Sequence, residues 1–280
     1  APYLILIGAM GDDTYAKTGF GIVQWRPDLV AGQLRFEGCE VDLGVPDMSV
    51  SEAAAAGVRS LVIGVAPVGG TIPDNWWPHI EDAARAGLDI VCGLHFKLTD
   101  FPAVVAAAKS SGARLIDVRN PPTNLPVGTG IKRSGKRVLM VGTDCAIGKK
   151  YAALALHKAM CEAGMKASFR ATGQTGIMLA GEGIPIDSVV ADFIAGAAEL
   201  ISPANDEDHW DVIEGQGSIF HPGYSGVSLG LLHGSQPDAF VICHDATRTL
   251  VSGWEHFTLP SIHEAIDLHA QLGRRTNPDI

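Results

Sequence analysis

A glycine-bounded loop between an apolar run and a helix-like segment constrains the fold of this chain more than any other feature. The run 138–141 is apolar and is followed by Gly142, and Gly148 and Lys149 open the predicted helix 149–163. This is the layout of a phosphate-binding P-loop, where backbone N–H groups and a helix N-terminus point at an anion and the lysine adds charge. The sequence therefore predicts a buried strand with a phosphate site at its end.

The loop departs from the consensus G-x-x-x-x-G-K-[ST] at two positions. The first glycine position falls on Thr143, and Lys150 replaces the Ser or Thr that ligates Mg²⁺. A lost hydroxyl and an added cation argue against hydrolysis of a Mg-nucleotide and favour a phosphate ligand bound without a metal. The predicted cofactor-binding residues are Gly142, Thr143, Cys145, Ala146, Ile147, Gly148, Lys149, Lys150 and Tyr151.

Strand-like and helix-like segments alternate on both sides of a segment rich in Pro, Gly and Thr at 120–130. Such alternation implies βαβ units and parallel sheets. We expect an α/β protein: a Rossmann-like open-sheet domain over 1–125 and a P-loop NTPase-like α/β domain over 126–280, the latter truncated at its C-terminal end. Predicted strands are 3–7, 60–65, 89–92, 114–117, 137–141, 167–171, 211–213 and 239–243; predicted helices are 49–56, 76–86, 100–110, 149–163, 187–201 and 261–272.

The charge distribution bears on the kind of partner. The net charge is −10, which argues against a nucleic-acid surface, since such binding depends on neutralising phosphates with Lys and Arg. Residues 131–150 nevertheless carry six basic and one acidic side chain. This basic segment contains the proposed phosphate loop, so we expect one local site for a small polyanion.

Hydropathy and cysteine content bear on the compartment. No apolar run reaches the ~18 residues of a membrane helix. The five cysteines contain no C-x-x-C pair and leave one over, which argues against a disulfide framework. We expect a cytoplasmic protein without membrane partners, and a homo-oligomer.

Three carboxylates are candidate catalytic residues: Glu214, Asp192 and Asp144. Glu214 ends a predicted strand, where it is either a general base or ammonium-binding group, or a structural carboxylate that ties the loop through Ser218. Asp192 shares a predicted helix face with Glu199, for which a solvated position is favoured. Asp144 lies within the loop, where a structural and a catalytic role are both open.

Several polar residues are candidates for substrate binding. Thr172, Gln174 and Thr175 follow a predicted strand and suit a carboxylate or oxyanion site, with a tight glycine turn as the alternative. Arg248 lies one turn beyond a strand-end His-Asp pair and suits carboxylate recognition. Cys145 lies beside a helix N-terminus and Lys149, which should lower the pKa of its thiol; it is either a nucleophile that carries a transferred group or, as we favour, a small residue that fits the loop.

The loop 142–150 is similar to that of dethiobiotin synthetase-like enzymes, which also run Gly-Thr-Asp before Gly-Lys. The wider set resembles the D-glutamate N-acetyltransferase-like family, formerly a domain of unknown function: the loop, then 171–176, then Asp187 through Asp192 to Glu199, then 214–218. The first domain shows the resemblance more loosely, through 16–18, 93–95 and 117–119.

This resemblance implies transfer of acetyl from acetyl-CoA to the amine of D-glutamate. It also implies that Lys17 reaches an acidic substrate. Two alternatives stay open: an ATP-dependent synthetase or kinase of the dethiobiotin synthetase type, against which Lys150 argues, and a CoA- or nucleotide-binding module without turnover. D against L selectivity rests wholly on the resemblance.

Overall fold

The computed structural model describes residues 1–280, apart from the side chain of Val68, and contains two compact units, 1–120 and 121–280. Each unit is a parallel β-sheet with helices between its strands. Among the described residues, no helix has the length and apolar character needed to cross a membrane.

The N-terminal unit is an open five-stranded sheet with the order β2-β1-β3-β4-β5 and all strands parallel. Its strands are β1 (Tyr3–Gly8), β2 (Val30–Arg35), β3 (Ser60–Ile63), β4 (Asp89–Cys92) and β5 (Leu115–Asp117). Its helices are α1 (Lys17–Trp25), α2 (Val50–Ala55), α3 (Trp77–Arg85) and α4 (Pro102–Ser111). The sequence pattern predicted this alternation but missed α1 and β2, whose composition mixes apolar and polar residues without a clear period.

The C-terminal unit has a four-stranded parallel sheet in the order β7-β8-β6-β9. Its strands are β6 (Lys136–Gly142), β7 (Ala167–Arg170), β8 (Trp210–Ile213) and β9 (Ala239–Cys243), with a hairpin of β10 (Leu250–Val251) and β11 (Trp254–Thr258). Its helices are α5 (Lys149–Glu162), α6 (Gln174–Ala180), α7 (Ile194–Ile201), α8 (Ser225–Ser235) and α9 (Ile262–Gly273). The chain leaves β6 toward β7 and later crosses to β9 on the other side, so the end of β6 is where an open α/β sheet places its ligand.

Helices α7 and α8 pack closely because glycines lie between them. A Cβ on Gly234 of α8 would lie 2.1 Å from the Ala195 carbonyl oxygen, and one on Gly230 would lie 2.5 Å from Ile194. Gly196 of α7 likewise leaves room for the Pro126 carbonyl of the segment before β6. The glycines of α8 lower its helix propensity, which is why the sequence did not predict this helix. The close packing of α8 against α7 offsets that cost.

The predicted helix 187–201 was wrong in its first half. Residues Ile186–Ser188 and Ala191–Phe193 form separate 3-10 turns, and α7 begins only at Ile194. The β-branched pair Val189 and Val190 lies extended between the turns, in keeping with its low helix propensity. Asp192 and Glu199 therefore do not share one face of a continuous helix.

Candidate active site

The loop after β6 closes tightly on the first turn of α5. Gly148 caps α5 with a φ of 93°, a left-handed conformation that favours glycine, and Ala146 also has a positive φ of 51°. Thr143 is buried, and its Oγ1 lies 3.1 Å from Nδ1 of His244 at the end of β9. The loop thus presents the N-terminus of a fourteen-residue helix at the carboxyl edge of the sheet, which suits an anion.

The two adjacent lysines of the loop differ in environment. Lys149 is only 7% exposed, and its Nζ donates to the Asp144 carbonyl oxygen at 2.6 Å. Burial lowers the pKa of Lys149. Lys150 is half-buried, with its Nζ 4.6 Å from the ring centroid of Tyr151, a cation–π distance. Burial raises the pKa of Tyr151.

Asp144 is fully buried, and both carboxylate oxygens accept hydrogen bonds. Oδ1 accepts from the Cys145 N–H at 2.7 Å, and Oδ2 accepts from Arg248 at 2.8 Å and from the Ser252 N–H at 3.0 Å. Arg248 also donates to the Cys145 carbonyl at 2.9 Å. The geometry therefore favours the structural alternative for Asp144, and it places Arg248 against the loop itself.

Four of the six cations in the basic segment 131–150 lie away from the loop. Arg137 is buried, and its Nε donates to Ser202 Oγ, which donates in turn to Asp211. Lys132 pairs with Asp238, and Arg133 donates to the carbonyl oxygens of 202 and 234. These three residues and Lys136 precede or begin β6, so of the six cations in the segment only Lys149 and Lys150 lie at the carboxyl end of that strand.

Glu214 follows β8 directly and is 3% exposed. Its Oε2 accepts the backbone N–H groups of Thr172 at 2.9 Å and Gly173 at 3.0 Å. Burial raises the pKa of Glu214 to about 7, against the lowering effect of these two hydrogen bonds. The carboxylate thus ties the end of β8 to the end of β7, and Ser218, the partner expected from the sequence, is not the group it contacts.

Glycines make room for the Glu214 carboxylate. A Cβ on Gly176 would lie 2.2 Å from Glu214 Oε2, and one on Gly215 would lie 1.7 Å from the Met140 carbonyl oxygen. The same Gly215 Cβ would lie 3.0 Å from Lys149 Cδ. The residue after Glu214 therefore packs directly against the lysine of the phosphate loop, and the two candidate sites are neighbours.

The segment after β7 is the start of a helix and not only a glycine turn. Gly173 is the N-cap of α6, and Gln174 and Thr175 form its first turn, with Thr175 buried. The Oε1 atom of Gln174 is buried without a hydrogen-bond donor among the described residues. Gln216 donates to Thr172 Oγ1 at 3.1 Å. The segment therefore holds a buried acceptor beside Glu214.

The structure adds a residue that sequence reasoning missed, His221. It is 1% exposed, and its Nε2 lies 3.9 Å from Asp144 Oδ1. Ligand atoms of Asp144, Cys145 and His221 lie within 4.8 Å of one another, a spacing compatible with a metal ion. No spacing motif links 144, 145 and 221, so only the fold brings these residues together.

Three other candidates lie elsewhere in the fold. Asp192 is exposed in its 3-10 turn. Glu199 is not solvated as expected: its carboxylate accepts the N–H groups of Thr129 and Gly130, so it anchors the segment before β6. Lys17 is the first residue of α1, at the carboxyl edge of the N-terminal sheet.

The parallel sheet, the Gly-Lys helix start and the strand-end carboxylate define a P-loop α/β protein that also carries a Rossmann-like unit. The chain belongs to the DUF1611 family: residues 126–280 match its "Domain of unknown function (DUF1611_C) P-loop domain", and residues 34–121 match its "Domain of unknown function (DUF1611_N) Rossmann-like domain". Both the expected fold class and the family resemblance are confirmed.

The chain is similar to two proteins named D-glutamate N-acetyltransferase. One, from Tritonibacter scottomollicae, is 48% identical over 278 residues, 99% of this chain and 84% of the relative. The other, from a Pseudoalteromonas species, is 48% identical over 279 residues, 100% of this chain and 84% of the relative. A crystal structure of a DUF1611 family protein from Anabaena variabilis superposes with a TM-score of 0.86 at 35% identity, covering 98% of this chain and 83% of that one.

Proposed function

We propose that this chain is an N-acetyltransferase that moves the acetyl group of acetyl-CoA to the amine of D-glutamate. The names of the two relatives that it matches along nearly its whole length support this activity. The observation that carries the site assignment is the buried Glu214 carboxylate, whose pKa of about 7 is matched to proton transfer near neutral pH and which adjoins the phosphate loop.

The phosphate loop is proposed to hold the anionic end of the acetyl donor. Coenzyme A carries a pyrophosphate and a ribose phosphate, which the loop amides, Lys149 and Lys150 would bind. The Lys149 ammonium now donates to the Asp144 carbonyl, and it would exchange this partner for a phosphate oxygen. We propose that this binding proceeds without a metal, because Lys150 adds a positive charge at the position of the Mg²⁺-ligating Ser or Thr of other P-loops.

Glu214 is proposed to take the proton from the acceptor amine. The neutral amine nitrogen attacks the thioester carbonyl carbon, the C–N bond forms, the C–S bond breaks and the CoA thiolate leaves. The ammonium group loses one proton to Glu214 before the attack. The nitrogen loses a second proton as the C–S bond breaks, and this proton neutralises the CoA thiolate. Asp192 is the second candidate for this base, and its exposed position makes it the weaker one.

Polar residues near Glu214 are proposed to orient the acceptor. The buried Oε1 of Gln174 is a ready acceptor for an ammonium N–H, and Thr172 and Thr175 lie at the same helix start. Within the C-terminal unit, Arg248 is the candidate for a substrate carboxylate; Lys17 is a candidate through the family resemblance alone. Arg248 already donates to Asp144 through one guanidinium nitrogen. It would bind a substrate carboxylate only through its other N–H groups.

We further propose that the protein works in the cytoplasm as a homo-oligomer. The five cysteines are all thiols in the structure, as is usual in a reducing compartment. Ile262 and Ile266 are exposed on one face of α9, where a second copy would cover them. Light scattering of the purified chain tests the assembly.

The decisive experiment measures thiol release from acetyl-CoA with D-glutamate, L-glutamate and a panel of other amino acids. The proposal expects release that requires the amino acid and produces its N-acetyl derivative by mass spectrometry. A parallel reaction with ATP and Mg²⁺ tests the synthetase alternative, which requires ADP formation. Tight CoA binding without thiol release for any amino acid would leave only a binding module.

A further inference from the structure

His221 is held rigidly beside the phosphate loop by aromatic packing. Its ring stacks on Tyr224, with centroids 4.6 Å apart and planes 28° apart, and meets the edge of Trp254 at 4.7 Å. Tyr224 and Trp254 come from the start of α8 and from β11, so two elements fix the ring. Such packing leaves the imidazole little freedom to rotate.

The hydrogen bond on one side of the ring determines where its proton resides. Nδ1 of His221 accepts the N–H of Gly223 at 3.1 Å. A nitrogen that accepts carries a lone pair, so the proton of a neutral imidazole must be on Nε2. Burial lowers the pKa of His221, which keeps the ring neutral. The ring therefore faces the loop with an N–H group.

This N–H has no acceptor among the described residues. Asp144 Oδ1, at 3.9 Å, is beyond hydrogen-bond distance. A buried donor left unpaired costs about 1–3 kcal/mol, so such groups call for an explanation. A bound metal ion does not explain this unpaired donor, because a metal ligand must present a lone pair and Nε2 presents a proton.

We propose that the Nε2–H of His221 donates a hydrogen bond to an anionic oxygen held in the phosphate loop. Resting on the proposed function, we identify that oxygen as a phosphate oxygen of the acetyl donor. His221 lies within 4.8 Å of ligand atoms of Asp144 and Cys145, and Lys149 donates to the Asp144 carbonyl oxygen, so His221 faces the part of the loop that Lys149 contacts. His221 is then a binding residue contributed by the segment after β8.

Two substitutions separate the donor from the ring. His221→Phe keeps an aromatic ring between Tyr224 and Trp254 but has no N–H, whereas His221→Gln places an amide N–H near the position of Nε2. Titration calorimetry of the full chain with CoA, and separately with inorganic pyrophosphate, measures the effect. We expect His221→Phe to weaken both ligands about tenfold, the usual effect of one hydrogen bond to a charged group, and His221→Gln to stay within about threefold of the wild type.

His233 provides a matched control, since its Nε2 is also buried without a described partner but lies in the last turn of α8. His233→Phe should leave both affinities unchanged. Wild-type affinity in His221→Phe, or equal weakening in His221→Phe and His221→Gln, would overturn the inference, as would a wild-type chain that binds neither ligand. If pyrophosphate binding depended on His221 but no thiol were released from acetyl-CoA, the proposed function would be refuted and the inference about His221 would stand.

Discussion

Glu214 and Thr172 are joined by two hydrogen bonds that run in the same direction, from the threonine to the glutamate. The Thr172 N–H donates to Glu214 Oε2 at 2.9 Å, and Thr172 Oγ1 donates to the Glu214 carbonyl oxygen at 2.7 Å. The ends of β7 and β8 are thereby fixed to each other. The carboxylate keeps one orientation despite its burial, which a proton acceptor requires.

The pH dependence of turnover should report the ionisation of Glu214. A general base must be deprotonated, so the rate should rise with pH through about 7, the pKa of Glu214 in the folded protein. Glu214→Gln should lower kcat by about 100-fold or more and abolish the rise of the rate with pH near 7. A thiol-release assay between pH 5.5 and 9 measures both effects.

Glu182→Gln is the matched control for this measurement, because Glu182 is an exposed carboxylate just after α6. It should keep the wild-type rate and the wild-type pH profile. If the rate of Glu214→Gln also rose with pH near 7, another group would be the base.

Folding stability should respond to the same carboxyl group with a defined sign. Its pKa in the folded protein, about 7, lies above the ordinary glutamate value of 4.5. The stability that Glu214 contributes is therefore fully present below pH ~4.5 and is lost as the pH rises through about 7. At roughly 1.4 kcal/mol per pKa unit this loss is about 3 kcal/mol. Urea unfolding at pH 5 and pH 8 should show that the free energy of unfolding of Glu214→Gln rises relative to that of the wild type at the higher pH. The same difference in unfolding free energy at both pH values would contradict the raised pKa of Glu214.

Local patterns predicted the elements that have clear start and stop signals. The sequence predicted the strand before Gly142 and the helix after Gly148, and it also predicted α2 and α9. Ser49 and Ser261 each form a capping box at the N-terminus of their helix. Helix α8 could not be predicted in this way, because its glycines are favourable only once α7 packs against them.

Candidate site residues could be proposed from the sequence only where they follow a predicted strand or open a predicted helix. Lys149, Lys150 and Glu214 stand directly after strands or loops that the pattern defines. His221 carries no such signal, since its importance comes from an unpaired Nε2 facing a loop more than seventy residues earlier in the chain. The pairing of Asp144 with Arg248 is equally nonlocal, so the sequence left the role of Asp144 open.

The ion pair between Arg248 and Asp144 should matter more for stability than its partly exposed arginine suggests. Arg248→Met leaves a fully buried carboxylate with only backbone donors, and we expect it to lower the free energy of unfolding by about 2 kcal/mol. In an Asp144→Asn background the same change should cost about 1 kcal/mol or less, since the uncompensated charge is gone. Urea titration of the four proteins gives the coupling energy, and strictly additive effects would argue against the pair.

The second lysine of the loop should act through its charge. Lys150→Met should weaken CoA binding about tenfold and reduce the dependence of that affinity on salt, because one cation fewer faces the phosphates. Tyr151→Phe keeps the ring under the Lys150 ammonium and should bind CoA as the wild type does. Calorimetry at two ionic strengths measures both. An unchanged salt dependence in Lys150→Met would mean that this lysine does not contact the ligand.

Substitutions of Glu199 and Asp192 should have different effects, because Glu199 is a structural carboxylate and Asp192 is the second candidate for the general base. The Glu199 carboxylate accepts two backbone N–H groups from the segment before β6. Glu199→Ala removes both hydrogen bonds and should cost about 1 kcal/mol of unfolding free energy without changing the KM for the amino acid. Asp192→Asn, at an exposed position, should alter stability by less than about 0.5 kcal/mol and lower kcat by less than about threefold. Urea unfolding and steady-state kinetics on both variants decide the assignment. A loss of kcat in Asp192→Asn that matches the loss in Glu214→Gln would transfer the role of base to Asp192, because its exposed carboxyl group has no part in holding the fold.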